Sequence, residues 1–298
     1  MKENAAGSRL AQYREPVIWA TVVTFNRREL LIRCVEALRG QTRKPDQILV
    51  VDNGSTDGTL AWLEKQSDIT VILQENLGSA GGQHIAIKTA YDNGADRIWT
   101  MDDDGFPSER CLTELLTIAE ERKADYVAPW VVDMEGRPHG YSIEKVFRNS
   151  GMDAIDHYGS PFNGILLSRR LVEIVGTPNA NYFIWGDEFE YVDRLCSFGF
   201  HTFLALKARF IHPLTRDNLL RGRPKNLFFR GRNAVWLVKD NRRYDMTKLR
   251  ATIRCGTVGK EVLLLAVRFR IGRLIWLCVG ILNGIVTNSD DKSIAKVG

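Results

Sequence analysis

No two cysteines in this sequence stand at metal-clip or redox spacing. The five present, Cys34, Cys111, Cys196, Cys255 and Cys278, are scattered and odd in number. That argues against a disulfide scaffold and reads as reduced, cytosolic thiols. No uninterrupted apolar run approaches the length needed to span a bilayer. Met1 to Glu15 is polar and has no apolar centre, so no secretory signal is expected. Internal repeats and low-complexity segments are absent, which excludes solenoid and fibrous architectures. The glycine-rich segment Gly78 to Gly82 has neither a Walker lysine-serine pair nor GxGxxG spacing, which argues against a P-loop NTPase or a dinucleotide fold. What the sequence does hold is 298 residues with 44% apolar content, enough for a large core in one or two domains. Net charge is +5, unevenly distributed along the chain.

Apolar, β-branched runs alternate with helical patterns. Val17 to Phe25 reads as a strand buried on both faces, the mark of a parallel sheet. Asn26, with Glu29 three residues on, suggests a capping box for a helix that carries Leu30, Leu31, Cys34 and Leu38 and ends near Gly40. Gln47 to Val51 is a second strand, followed by a short helix over 59–65. Thr70 to Gln74 is a third, followed by a helix over 83–92. Arg97 to Met101 is a fourth. Alternation of this kind predicts an α/β fold with a mostly parallel sheet flanked by helices. A polar cluster follows each strand, and such sheets bind ligands at the carboxyl ends of their strands. Thr24 to Arg27, Asp52 to Ser55, Asn76 to Gly82 and Asp102 to Asp104 would then line one crevice. Taken singly, each cluster is also ordinary turn chemistry.

The fourth strand stops at three consecutive carboxylates, Asp102, Asp103 and Asp104. Adjacent like charges repel, and at the end of a buried strand they call for a compensating cation. Extended backbone puts Asp102 and Asp104 on one face, a start for a hard divalent cation with room for a diphosphate. The plain alternative is an acidic turn capping a helix at Ser108.

Together the four clusters resemble a family-2 glycosyltransferase of the GT-A fold. The matching text is Val22 to Arg27, Val51 to Thr59, Asn76 to Gly82 and Met101 to Pro107, in an order and spacing that fit over about residues 17 to 215. Within that family the chain most resembles the bacterial rhamnosyltransferase and galactofuranosyltransferase branch. The resemblance implies that Thr24, Phe25 and Arg27 flank the nucleotide, and that Asp52 hydrogen-bonds the imide edge of uracil or thymine. It implies nucleoside contacts from Asn76 and Gly78. It assigns Asp102 and Asp104 to a DXD metal motif for Mn2+ or Mg2+, and Asp103 to the donor sugar or to orienting a ligand.

Farther on, Ser108 to Arg122 reads as an amphipathic helix, Tyr126 to Val132 as a strand and Asp133 to Gly140 as a hairpin tip. Residues 141–160 read as a poorly patterned loop. Phe162 to Ser168 reads as a strand, and Ser168 caps a helix ending at Gly176. Tyr182 to Trp185 reads as an aromatic strand that turns into a helix reaching about Phe198. Asp187 and Glu188 fall in that helix's first turn, where the helix dipole would keep both ionised, which suits a base. Simple charge complementarity at a helix start is the alternative. The branch carries a tryptophan, two aspartates, any residue and a glutamate here. Registered on Glu190, this places Asp187 and Glu188 on the two aspartates, with Glu188 the first choice for catalytic base and Asp187 the second. Trp185 and Glu190 then fall to the acceptor. Gly186 between the tryptophan and the acidic pair departs from the pattern. A last strand, Phe203 to Ile211, ends at His212, which the resemblance makes the third metal ligand.

From Arg216 to Arg273, 16 Lys/Arg stand against four acidic residues, interleaved with aliphatic and aromatic ones. Such helices either lie on an anionic membrane interface or pack on the catalytic domain with a solvated basic face. With no recognition motif present, a nucleic-acid partner is not expected. The expected organisation is a polar arm over 1–16, a catalytic domain over 17–215, a basic helical region over 216–287 and a loose tail over 288–298. The implied activity is metal-dependent, inverting sugar transfer. The donor would be of UDP-galactofuranose or dTDP-rhamnose type, and the acceptor a glycan or lipid-linked glycan of the bacterial cell surface. The implied place is the cytoplasm, peripheral on the inner membrane face. A nucleotidyltransferase of similar fold and a non-catalytic glycan-binding or membrane scaffold protein are the alternatives.

Overall fold

The computed structural model describes residues 14–138, 152–156, 162–213, 226–243 and 271–291. The apolar runs form strands where the sequence places them: β1 (Ile18–Thr24), β2 (Gln47–Asp52), β3 (Ile69–Leu73), β4 (Arg97–Asp102), β6 (Tyr126–Val132), β8 (Asn163–Ser168) and β9 (Thr202–Ile211). Two short strands, β5 (Phe106–Pro107) and β7 (Ala154–Asp156), complete a nine-stranded sheet of order β3-β2-β1-β4-β8-β6-β9-β5, with β7 also on β9. Strands β1 to β4 are mutually parallel. From β8 onward the sheet is mixed: β8 runs antiparallel to β4 and β6, while β9 runs parallel to β6. Strand β7 lies inside the stretch expected to be an unpatterned loop; of that stretch, 141–151 and 157–160 are outside the described residues.

Alternate residues of β1 serve opposite faces of the sheet, as strand geometry requires. Ile18, Ala20 and Val22 pack with α1 (Arg28–Arg39) and α4 (Cys111–Glu121) through Leu31, Leu38, Leu112 and Leu115. Trp19 joins the other layer, which includes α3 (Gly78–Asp92), α5 (Arg169–Val175) and α6 (Asp187–Ser197). The segment α2 (Thr59–Leu63) is a single short helix.

Four local expectations change. Asn26 does not cap α1: its backbone is left-handed, Arg27 is the N-cap residue, and the Asn26 side-chain oxygen accepts from Thr56 N at 2.7 Å. Helix α3 starts five residues early, at Gly78, because its glycines permit close packing. A Cβ on Gly82 would run into Val23, and one on Gly78 into the Phe183 carbonyl. Helix α4 starts at Cys111, not at Ser108. The aromatic segment before α6 is no strand. It is a 3-10 turn, Ala180–Tyr182, followed by Phe183 and Trp185 with positive φ. Ser168 does cap α5, its Oγ accepting from Leu171 N at 3.0 Å.

Two C-terminal helices, α7 (Asn226–Arg243) and α8 (Ile271–Val286), pack so closely that a Cβ on Gly231 or Gly280 would strike the other helix's backbone. Trp236 and Leu237 of α7 cluster with Ala80 and Tyr182. The expected loose tail is in part anchored. Ser289 is buried and donates to Asp240, which also accepts from the Tyr182 hydroxyl at 2.7 Å. Helical readings over 248–270 lie outside the described residues.

Candidate active site

Sheet register brings the polar strand ends together. Thr24 pairs with Asp52 across β1 and β2, and Val23 pairs with Asp102 across β1 and β4. The backbone steps on in the same way, with Asn53 N donating to Thr24 O at 3.0 Å and Asp103 N to Val23 O at 3.2 Å.

Asp102 ends β4, and Asp103 and Asp104 lie in a turn, so the triplet is not the extended segment expected from sequence. Each carboxylate has its own partners. Asp102 accepts from Gln83 Nε2 at 3.1 Å and Ser79 Oγ at 3.3 Å, both on α3. Asp103 accepts from Thr24 Oγ1 at 2.7 Å and Arg27 Nη1 at 3.0 Å. Asp104 takes Arg27 Nη1 at 2.8 Å on one oxygen and meets His212 Nε2 at 3.1 Å on the other. Burial, then the neighbouring Asp104 and Asp103 charges, push Asp102 up to about 7. Burial pushes Asp103 up to about 6, against the pull of Arg27. Burial would also raise Asp104, but the His212 hydrogen bond and charge, with Arg27, outweigh it and leave Asp104 low. The same contact carries His212 above its ordinary value despite burial.

Asp52 is fully buried. One oxygen accepts from Ser55 N at 2.9 Å, and the other has no hydrogen-bond partner among the described residues. Asn76 Oδ1 accepts from Gly78 N at 2.9 Å and so shapes the turn into α3. Gly78 lies against Phe183, so the glycine-rich turn supports the segment before α6. Phe25 is half-buried beyond the end of β1.

Asp187 and Glu188 open α6 behind left-handed Gly186, and Glu188 Oε2 accepts from Gly186 N at 3.1 Å. The expectation that the helix dipole keeps both ionised fails for Asp187. That residue is only 2% exposed, and burial, the adjacent Glu188 charge and a hydrogen bond to Glu188 drive its carboxyl well above the usual range. Desolvation outweighs the dipole here. Asp102 adds a smaller push in the same direction. Glu190 is buried and engaged by Arg194, at 2.8 and 3.0 Å. Trp185 is half-buried, with the Arg230 guanidinium 5.6 Å from its ring centre.

The site thus joins Thr24, Arg27, Asp103, Asp104 and His212 in one network, with Asp102 beside them at the end of β4, held by Ser79 and Gln83 of α3. Among the described residues no three acidic, histidine or cysteine side chains converge as metal ligands. The donor set of Asp102, Asp104 and His212, two carboxylates and an imidazole, still has the chemistry a hard divalent ion takes. Burial first, and the crowded Asp104 and Asp103 charges second, raise the Asp102 carboxyl at that point. Ser79 and Gln83, which hold Asp102, were not found from sequence. They sit in the first two turns of α3, whose glycine-rich start gives no hint of a polar face.

A profile described as glycosyl transferase family 2 matches residues 20–167. The galactofuranosyltransferase GlfT1 of Mycolicibacterium smegmatis is 33% identical over 218 residues, covering 67% of this chain and 72% of that protein. The chain belongs to glycosyltransferase family 2. As a family-2 enzyme of GT-A fold, it acts on a nucleotide-sugar donor and a glycan acceptor. It is also 23% identical to the dTDP-rhamnosyl transferase RfbF of Shigella flexneri over 244 residues, 75% of this chain and 80% of the other. Its fold is similar to that of the mannosyltransferase PcManGT from Pyrobaculum calidifontis, solved with GDP-Man and Mn2+. That match has a TM-score of 0.60 at 17% identity, over 94% of this chain and 89% of that one. Among the described residues no helix of this family-2 enzyme is long and apolar enough to cross a membrane.

Proposed function

We propose that this enzyme transfers a sugar, of galactofuranose or rhamnose type, from a UDP or dTDP donor to a hydroxyl of a glycan or lipid-linked glycan, with inversion. The observation that carries the reading is the pair at the start of α6. Asp187 is buried, its carboxyl raised by burial and by the adjacent Glu188, and Glu188 Oε2 accepts from Gly186 N at 3.1 Å. Helix α3 touches both sides of the site, Ala80 N donating to Phe183 O just before the pair and Ser79 and Gln83 to Asp102. A carboxylate beside a buried carboxyl that favours its neutral form can take the proton of an attacking hydroxyl, which makes Glu188 the base and Asp187 its support. The buried, unpartnered oxygen of Asp52 is an acceptor suited to the imide N–H of uracil or thymine. Arg27 provides a cation at the edge where Thr24 and Phe25 would meet the nucleotide. Asp102, Asp104 and His212 would hold Mn2+ or Mg2+, which when bound supplies charge neutralisation for the departing nucleoside diphosphate.

Asp103, tied to Thr24 and Arg27, orients that edge. Trp185 is offered to the acceptor as an apolar platform, while Glu190 supports the site through Arg194. Placement on the cytoplasmic membrane face is supported by α8. That helix exposes Ile275, Trp276, Val279, Leu282, Ile285 and Val286, next in sequence to the basic stretch ending at Arg273.

The test is Glu188→Gln. It should cost at least about 10²-fold in kcat while UDP or dTDP affinity measured with Mn2+ changes little. Turnover near wild type would remove Glu188 from the reaction. The released product separates the alternatives: a nucleoside diphosphate fits sugar transfer, and pyrophosphate would mean nucleotidyl transfer.

A further inference from the structure

The backbone that leads into Asp187 and Glu188 is unusual. Phe183 (φ 64, ψ −60), Trp185 (φ 65) and Gly186 (φ 95) all have positive φ within four residues, Phe183 at the centre of a γ-turn closed by Ile184 N on Tyr182 O at 2.8 Å. For the two aromatic residues this conformation costs roughly 1–3 kcal/mol each and persists only when the surroundings impose it. The surroundings are two consecutive side chains of α7. Arg232 Nη2 donates to the carbonyls of Asn181 at 2.9 Å and Tyr182 at 3.0 Å. Asn233 Nδ2 lies within donor distance of those of Tyr182 at 2.8 Å, Ile184 at 2.9 Å and Trp185 at 2.8 Å, its two N–H groups shared among the three. The remaining carbonyl, that of Phe183, accepts from Ala80 N in the first turn of α3 at 3.1 Å. Every carbonyl from Asn181 to Trp185 is therefore held by a donor from outside the segment.

The two side chains are set as a unit. Arg232 Nε donates to Asn233 Oδ1 at 2.9 Å, which fixes the amide so that its N–H groups face the carbonyls. Arg232 is 2% exposed, and among the described residues no carboxylate pairs with it. Its guanidinium lies 4.0 Å from the Trp236 ring centre and 5.0 Å from that of Phe229. Burial of a guanidinium without a carboxylate is costly. Packing alone would be better served by an apolar side chain. What an apolar residue cannot do is gather carbonyls that such a turn points to one side.

We propose that Arg232 and Asn233 are positioning residues of the transfer site. They hold the carbonyls of residues 181–185 and so fix the direction in which Asp187 and Glu188 leave the start of α6. This rests on the reading of Glu188 as base. The C-terminal helices are on this account part of the active site, although neither residue touches substrate. Because Phe183 is also tied to α3, the same clamp joins the carboxylate pair to the helix that holds Asp102.

The test uses the full chain, with Asn233→Ala and the milder Arg232→Lys. Amide exchange at 183–188 should rise about tenfold or more in Asn233→Ala, while exchange in β1 and β4 stays within about twofold. Affinity for UDP and dTDP, each with Mn2+, should stay within about twofold. With UDP-galactofuranose or dTDP-rhamnose and a synthetic octyl glycoside, kcat should fall about 10²-fold with donor KM unchanged, the scale of a displacement near 1 Å. In a Glu188→Gln background the added loss should shrink to about twofold or less, since the clamp acts through that residue.

Wild-type kcat in Asn233→Ala would overturn the proposal. So would a loss spread equally over sheet exchange, nucleotide affinity and turnover, which a merely structural role gives. Full additivity with Glu188→Gln would also overturn it. Should Asn233→Ala fail to fold, Arg232→Lys carries the same comparisons with smaller losses expected. Failure of the base assignment is distinct: Glu188→Gln alone would then turn over like wild type, while exchange at 183–188 would still report on the clamp.

Discussion

Asp102, Asp103 and Asp104 crowd three carboxyl groups at one strand end, with Arg27 touching two of them. Without a divalent ion the arrangement is strained in proportion to its charge. Asp102 and Asp103 titrate near 7 and 6 in the folded chain, both above the ordinary 3.8. Between those limits the folded state binds more protons than the unfolded, so stability falls as pH rises. His212 adds to the fall, since its raised value gives stability that is lost as pH climbs through it. Asp104, held low, acts only at the acid end, losing its contribution as pH drops below the usual carboxylate range. Chelator-treated protein should therefore melt at a lower temperature at about pH 8 than at about pH 5. Asp102→Asn should flatten that slope, raise Tm at the higher pH and abolish transfer. Calorimetry across this range decides it, and a slope unchanged in the variant would remove Asp102 as its source. At this scale the sequence was informative about charge: three aspartates in a row show crowded negative charge at a strand end without any fold. It was uninformative about partners, because Ser79, Gln83 and Thr24 reach the triplet only through the folded sheet and α3.

Elements buried on both faces of the sheet were legible because a continuous apolar run has few alternatives. The segment before α6 was not. Tyr182, Phe183 and Trp185 have the composition of a strand, but β-propensity reports packing on a sheet face and yields when long-range donors claim the backbone. The donors sit about fifty residues downstream, on α7. The start of α3 is a related case. Its glycines, which have no phosphate-loop spacing, prove to be the thin wall against Val23 and Phe183. Gly78→Ala should destabilise the protein by roughly 1–3 kcal/mol, since Gly78 is left-handed and a Cβ would meet the Phe183 carbonyl. Denaturant unfolding measures the cost. Transfer should fall farther than nucleotide binding, because the side displaced is the one that carries Glu188.

In the molecule as a whole the two C-terminal helices face two ways. Helix α7 turns inward to the acidic pair, and α8 leaves a row of large apolar side chains exposed at helical spacing, Ile275, Val279, Leu282 and Val286. On an anionic surface that row would enter the lipid boundary. Leu282→Glu should then weaken co-sedimentation with phosphatidylglycerol vesicles about tenfold or more while leaving turnover on a soluble acceptor unchanged. Equal sedimentation of variant and wild type would detach the enzyme from the membrane. The sequence showed that this region is basic and amphipathic, but not that its first helix belongs to the active site.

The pairing of Thr24 with Asp52 and of Val23 with Asp102 has an evolutionary consequence. The crevice is assembled by counting: each strand delivers its polar end at a fixed number of residues from the far edge of the sheet. A single insertion or deletion inside β1, β2 or β4 would carry one cluster about 3.3 Å out of line and turn its side chains to the opposite face. Substitutions in these strands can drift among apolar residues, but their lengths cannot. Variation in length is left to places such as the tip at Met134 and Glu135, where an added residue shifts nothing that the chemistry uses.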